Sequence, residues 1–158
     1  MSTKHKICCS EEINERILPW RKEGDIIVFT NGCFDLLHLG HIDYLEKAKQ
    51  LGDRLIVGVN SDESVTELKG EGRPINKAFA RLRMLAALEF VDMVISFSEA
   101  TPSSLIMEVK PDILVKGKDY EIGNIVGADF VMQNGGRVVT IELIEGYSTT
   151  EIIKKING

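Results

Sequence analysis

Short unbroken apolar runs alternate along this chain with longer stretches in which apolar residues return every three or four positions. The runs are DIIVFT (25–30), RLIVGVN (54–60), DMVISF (92–97), DILVKG (112–117) and RVVTIEL (137–143). Each has strand length without polar alternation, as expected of a strand covered on both faces. Ile42, Leu45 and Ala48 share one face of a helix that runs from Leu39 until Gly52 ends it. AFARLRMLAALEF (78–90), PSSLIMEVK with Pro102 at its start, and STTEIIKKI (148–156) read as further helices. An opening helix over 10–22 lies in a region closed by Pro19 and Gly24. The polar, glycine-bearing stretch 61–76 has no clean period and is expected to be partly helical or mobile.

Strands alternating with helices predict parallel β-α-β units with right-handed crossovers. The expected architecture is α/β: one doubly wound, Rossmann-like domain with a five-stranded parallel sheet over 24–158, and residues 1–23 as an N-terminal helical segment packed on it. Ligands in such folds sit at the carboxyl ends of the strands, where the strand order reverses.

The bulk numbers narrow the function. At 158 residues, 44% hydrophobic and 27% charged, the chain suits a soluble globular domain. A net charge of −5 argues against nucleic-acid binding by counterion release, but leaves room for a small anionic ligand. Cys8, Cys9 and Cys33 are odd in number and two are adjacent, so a reducing compartment is expected rather than a disulfide framework. No signal-peptide core opens the chain and no apolar run approaches membrane-spanning length, which makes the expected location cytoplasmic, without a membrane partner.

The candidate chemistry follows the first long strand. TNGCFDLLHLGH (30–41) carries His38 and His41, two of the chain's three histidines, on the first turn of a helix with Gly40 between them. A helix N-terminus presents unpaired N–H groups and partial positive charge, and two imidazoles there make a compact anion site. Packed, hydrogen-bonded histidines are the ordinary alternative. A metal site lacks a third ligand at suitable spacing. Neither a G-x-G-x-x-G turn nor a G-x-x-x-x-G-K-[ST] loop is present. STTE (148–151) is a capping box whose Ser148, Thr149 and Thr150 can also hold phosphate. Lys69, in LKGEGR, is either a lid over a polyphosphate or a solvated loop lysine. Asp35 either orients its loop by hydrogen bonding backbone N–H groups or binds sugar. Cys33, near a helix N-terminus that would lower a thiol pKa, reads as a small filler, and Trp20 as a packing anchor.

The segment HLGH, in the flank NGCFDLLHLGHIDYLEKAKQLGD, resembles the H-x-G-H signature of the HIGH-type nucleotidyltransferases. Class I aminoacyl-tRNA synthetases share the tetrapeptide but are far longer, and no K-M-S-K-S is present. GVNSDESVTELKGEGRPIN, VDMVISFSEATPSSLI, DILVKGKDY and EGYSTTEIIKKI extend the resemblance to the adenylyltransferase modules of bacterial ADP-heptose synthases, over about residues 24–156. Such modules occur fused to a sugar kinase or free-standing, and this chain would be free-standing.

The resemblance implies transfer of AMP from ATP to a sugar 1-phosphate, D-glycero-D-manno-heptose 1-phosphate, with release of pyrophosphate. It implies catalytic roles for His38, His41, Lys69 and Arg81. It implies nucleotide contacts at Asn31, Gly32, Cys33, Phe34, Gly40, Lys116, Gly117, Asp119, Tyr147, Ser148, Thr149 and Thr150, and sugar-phosphate contacts at Asp35 and Arg73. Mg2+ is expected on the ATP phosphates rather than in a protein cage, and a homo-oligomer is expected. Lys118 and Ala100 depart from the family pattern. The alternatives are a cytidylyltransferase acting on glycerol 3-phosphate or a related alcohol phosphate, and a nucleotide-binding subunit without turnover. The cytidylyl branch carries an arginine shortly before its S-T-T stretch, where this chain has Leu143 and Ile144.

Overall fold

A computed structural model describes residues 2–158. Six strands form one wholly parallel sheet: β1 (Ile7–Cys8), β2 (Ile27–Gly32), β3 (Arg54–Asn60), β4 (Met93–Phe97), β5 (Ile113–Gly117) and β6 (Arg137–Ile141), in the order β1-β4-β3-β2-β5-β6. The helices are α1 (Ile13–Glu23), α2 (Leu39–Lys49), α3 (Asp62–Lys69), α4 (Ala78–Ala86), α5 (Ser103–Val109), α6 (Ala128–Gln133) and α7 (Thr149–Asn157). From β2 the chain winds outward through β3 and β4, then returns past β2 to lay down β5 and β6 on its other side. The reversal places an open crevice between the carboxyl ends of β2 and β5.

The sheet has six strands rather than the expected five. The additional one, β1, is two residues long and exists through its pairing of Ile7 with Val94 and Cys8 with Ile95 at the sheet edge. Two residues carry no periodicity, so only the partner strand reveals it. Pro19 does not close the first helix; it lies inside α1 on the exposed face, where solvent satisfies the acceptor that a proline leaves unpaired. Gly24, at φ 80, ends that helix in the left-handed conformation. Residues 62–69 of the polar stretch are helical, with the Ser61 hydroxyl accepting from Ser64 N–H at 3.2 Å.

Apolar side chains cover both faces of the sheet. Ile13 and Ile17 of α1, Leu105, Ile106 and Val109 of α5, and Val131 of α6 bury against Phe29, Ile56, Met93 and Leu114. Tyr44, Leu45 and Ala48 of α2, with Leu85 and Ala86 of α4, bury against Val28, Val57, Val94 and Val115 on the other face. The fully apolar strands are therefore explained by helices on both sides. Residues before β2 join this scaffold: Arg16 donates to the Ile7 carbonyl at 2.9 Å, and Lys6 to the Leu88 carbonyl at 3.0 Å. No helix among the described residues is long and apolar enough to cross a membrane.

Candidate active site

Beyond β2 the chain turns sharply into α2. Phe34 adopts φ 48, unfavourable for an aromatic residue, and its side chain is buried. The turn sets the Phe34 ring 5.2 Å from that of His41, tilted by 59°. Gly32 leaves room for it, since a Cβ there would meet the Phe34 ring at 3.0 Å. Phe34 thus packs beside the His41 ring.

His38 is the N-cap residue of α2 and His41 lies in its first turn. Their rings stack with centroids 3.8 Å apart and planes 24° from parallel. Nδ1 of each ring is buried without a partner in the protein. Burial pushes the His41 imidazole down to about 4, helped by the neighbouring His38 and opposed by the Leu36 backbone. Burial also lowers His38. Both rings are therefore neutral at pH 7 in the free protein.

Gly40 has a more local reason than ligand access. A Cβ at this position would lie 3.0 Å from Nδ1 and Cε1 of His38 and 3.4 Å from Cβ of Tyr147. The glycine seats the first imidazole against the helix and lets the start of α7 approach. Gly40→Ala is expected to displace His38 and lower turnover on the order of ten- to a hundredfold with little change in melting temperature. Steady-state kinetics beside a thermal melt would check this, and unchanged turnover would contradict it.

The N-terminus of α7 closes one side of the site. Ser148 Oγ accepts from Glu151 N–H at 3.1 Å, and Thr149 Oγ1 donates to the Leu36 carbonyl at 3.3 Å. Ser148, Thr149 and Thr150 thus meet the histidine loop, with Tyr147 beside them, all on one cleft of about 670 Å³. That size suits a small-molecule site. Every residue assigned a site role from sequence lines this cleft except Arg81.

Arg81 lies outside the cleft lining. Its side chain is fully buried beneath the cleft. Nε donates to the Asn76 carbonyl at 2.9 Å, Nη1 to the Cys33 and Asn60 carbonyls at 2.8 and 2.7 Å, and Nη2 to Asp62 Oδ1 at 2.9 Å. A guanidinium so engaged is a tie between chain segments. Asp35 is likewise engaged by the chain. It is buried and accepts from the backbone N–H of Ile75 and Asn76 and from Arg73 Nε at 2.6 Å. Burial raises its carboxyl, but Asn76, Ile75 and Arg73 together outweigh that and hold it below the usual carboxylate range. Asp35 thus orients the loop.

Arg73 keeps its cleft position through that ion pair, and Lys69 ends α3 as an exposed rim residue. The Cys33 thiol is pushed up by burial, although Lys69, Arg81 and Arg73 pull the other way, so the lowering expected from a helix N-terminus does not prevail. Gly117 makes room for Asp119, whose Oδ1 would lie 2.5 Å from a Cβ there. Lys118 is exposed and pairs with Glu142, whereas Ala100 lines the cleft.

Several cleft residues were not foreseen from sequence. Tyr44, three positions after His41 on the same helix face, shares a 2.7 Å hydrogen bond with Thr30 Oγ1, and its spacing was a usable signal. Tyr120, Asn124 and Val126 reach the cleft through the long segment before α6, which has no periodic signal. Among the described residues no group of three or more His, Cys, Asp or Glu side chains is placed to hold a metal ion.

Neutral imidazoles paired after the central strand of a parallel sheet, beside a helix N-terminus on one cleft, are the arrangement of the nucleotidyltransferase class. Residues 29–155 match the cytidylyltransferase-like family, and the chain belongs to it. It is 48% identical over 159 residues to the bifunctional protein HldE of Nitrobacter hamburgensis, covering 100% of this chain and 32% of that one. It is 58% identical over 134 residues to the bifunctional protein HldE of Azotobacter vinelandii, covering 85% of this chain and 28% of that one. The chain therefore spans under a third of these relatives' length. Among solved structures, a lipopolysaccharide core biosynthesis protein from Thermoplasma volcanium is similar, with a TM-score of 0.65 and 35% identity over 77% of this chain and 100% of that one.

Proposed function

We propose that this protein transfers AMP from ATP to a sugar 1-phosphate, D-glycero-D-manno-heptose 1-phosphate, giving an ADP-sugar and pyrophosphate. The observation that carries the reading is the stacked, neutral His38–His41 pair beside the N-terminus of α7 on one cleft. The similarity to the HldE proteins supports it, as does the Thermoplasma relative's description as a lipopolysaccharide core biosynthesis protein.

The chemistry asks little of the chain beyond placement and charge. A phosphate monoester's second pKa is about 6, so the acceptor oxygen is already ionised at neutral pH and needs no general base. That oxygen attacks the α-phosphorus in line, a new P–O bond forms, and the bond to the bridging oxygen of the β-phosphate breaks. Pyrophosphate leaves with the electron pair. His38 and His41 donate to α-phosphate oxygens as charge grows there, while the free N–H groups and hydroxyls at Ser148–Thr150 hold the outgoing phosphates.

Mg2+ would neutralise the triphosphate, bound by its oxygens and by water. Of the carboxylates on the cleft, Asp35 is committed to its loop, which leaves Asp119 to share the ion. Leu143, half-exposed on the cleft, supports adenylyl over cytidylyl transfer, because the cytidylyl branch carries an arginine near this point. A cytoplasmic setting suits the three free cysteines. A homo-oligomer would cover exposed apolar side chains such as Phe79 and Ile156.

A pyrophosphate-release screen of ATP and CTP against sugar and polyol phosphates tests the reading. ATP with the heptose 1-phosphate is expected to give the strongest release. Release from CTP alone would make the protein a cytidylyltransferase. Tight ATP binding without release from any pair would make it a binding subunit.

A further inference from the structure

We propose that Lys116 and Asn31 form the acceptor's subsite, the Lys116 ammonium binding the sugar phosphate's phosphate and the Asn31 side-chain carbonyl taking a hydroxyl of the same sugar. This deepens the transferase reading above and rests on it. It also moves both residues from the nucleotide, where the family resemblance placed them, to the second substrate.

The sheet brings the two together. β2 and β5 pair through Val28 with Ile113 and Phe29 with Leu114. Continued by two residues, that register sets Asn31 level with Lys116, past the last paired residues, where the strands part. Two positions beyond Phe29 and Leu114, both side chains project on the face that α5 and α6 cover. The histidine pair belongs to α2 on the opposite face. The cleft runs around the carboxyl edge of the sheet from one to the other. Two substrates that meet at one phosphorus require such a two-sided site.

Each group also lacks a partner of its own kind. Lys116 Nζ makes one long hydrogen bond, 3.4 Å to the Asn31 main-chain carbonyl, and lies 5.5 Å from the Tyr120 ring. Among the described residues no carboxylate lies within ion-pair distance of it. Asn31 Oδ1 is buried and accepts no hydrogen bond. An unpaired ammonium beside an unpaired acceptor matches a sugar phosphate, which brings an anion and hydroxyl donors together. Phosphate oxygens alone would leave Asn31 Oδ1 unsatisfied, since both are acceptors.

The other charges in the cleft are already allotted. Both histidines are neutral, Arg81 is consumed by the chain, Arg73 is paired with Asp35, and Lys69 stands on the exposed rim. Lys116 is the cation held at the crevice itself. Burial pushes its ammonium down to about 8, against the opposing pull of Cys33 and Asp119. The groups facing it are Asn31 on β2, Cys33 in the loop beyond, and Asp119 and Tyr120 after β5. A bound phosphate would replace the lost solvation and raise that value again. Acceptor kcat/KM should consequently fall as pH rises through about 8, where the free enzyme loses this charge.

The test compares wild type with Lys116→Met, Lys116→Arg and Asn31→Ala, reading KM and kcat for each substrate against pH. Binding of the heptose 1-phosphate and of inorganic phosphate is read separately by calorimetry without ATP. Lys116→Met should raise acceptor KM at least tenfold, as loss of a charge-assisted bond would, with the KM for ATP within about twofold. Lys116→Arg should recover part of the affinity and abolish the fall near pH 8. Asn31→Ala should weaken the sugar phosphate but not inorganic phosphate.

A change confined to the KM for ATP, or no kinetic change, would overturn the assignment. So would a lower melting temperature with unchanged kinetics, because replacing a desolvated ammonium by an apolar side chain of similar length should not weaken the fold. If wild type formed no ADP-sugar yet Lys116 still governed phosphate binding, the transferase reading would fail and the subsite would stand.

Discussion

His41→Ala is expected to lower turnover about a hundredfold or more, with the KM of each substrate changed far less. The size is that of removing one preorganised donor from the charge that develops in a transition state. The split between kcat and KM follows from the same cause, because the α-phosphate carries its greatest charge only as the acceptor arrives. In the proposed reaction His41 would donate from a partly buried position, with its ring held by Phe34 on one side and His38 on the other. With the imidazole near 4 in the free enzyme, the contribution is a neutral N–H rather than a positive charge. The ratio of wild-type to variant kcat/KM should therefore stay flat between pH 6 and 8, a comparison in which the substrates' own titrations cancel. Near-normal turnover, or a ratio that collapses across that range, would show that the pair does not serve the reaction in this way.

The legibility of that site in the sequence was a matter of range. His38, Gly40 and His41 lie within four residues, and the first turn of one helix brings them together whatever the rest of the chain does. The long strands were legible for a related reason: an unbroken apolar run such as IIVF must be covered on both faces. β1 and α6 were not, since a two-residue strand and a six-residue helix are made by their neighbours rather than by their own pattern. The pairing of Asn31 with Lys116 required the strand order, which places β5 against β2 and not against β4. Asp35 was legible in kind, because an acidic residue after a strand often binds backbone N–H groups, but its partners Ile75 and Asn76 lie some forty positions away.

Arg81 shows the same limit most sharply, and Arg81→Ala separates its two readings. A phosphate ligand on the surface of a helix would be lost with little damage to the fold, and the KM for ATP would rise. The observed arginine instead joins the ends of two strands and two helices. It binds the carbonyls of Cys33 after β2 and Asn60 at the end of β3, the Asn76 carbonyl before α4, and the Asp62 carboxylate, which also accepts from Ala78 N–H at 2.8 Å. Truncation would leave three carbonyls without their donor and Asp62 without its cation, around a cavity the size of the lost side chain. Breaking a buried charged network of this kind costs about 3–5 kcal/mol. That is a large part of the roughly 5–15 kcal/mol that stabilises a domain, and lowers the melting temperature on the order of 10 °C at this length. Arg81→Lys should recover little, since one ammonium cannot span acceptors arranged around a planar fork. Thermal melts of both variants beside ATP kinetics on the folded fraction decide the matter. A normal melting temperature with a raised KM for ATP would return Arg81 to the phosphates, whereas early melting fixes it as the tie that holds β2, β3 and the 69–77 loop in register beneath the histidines.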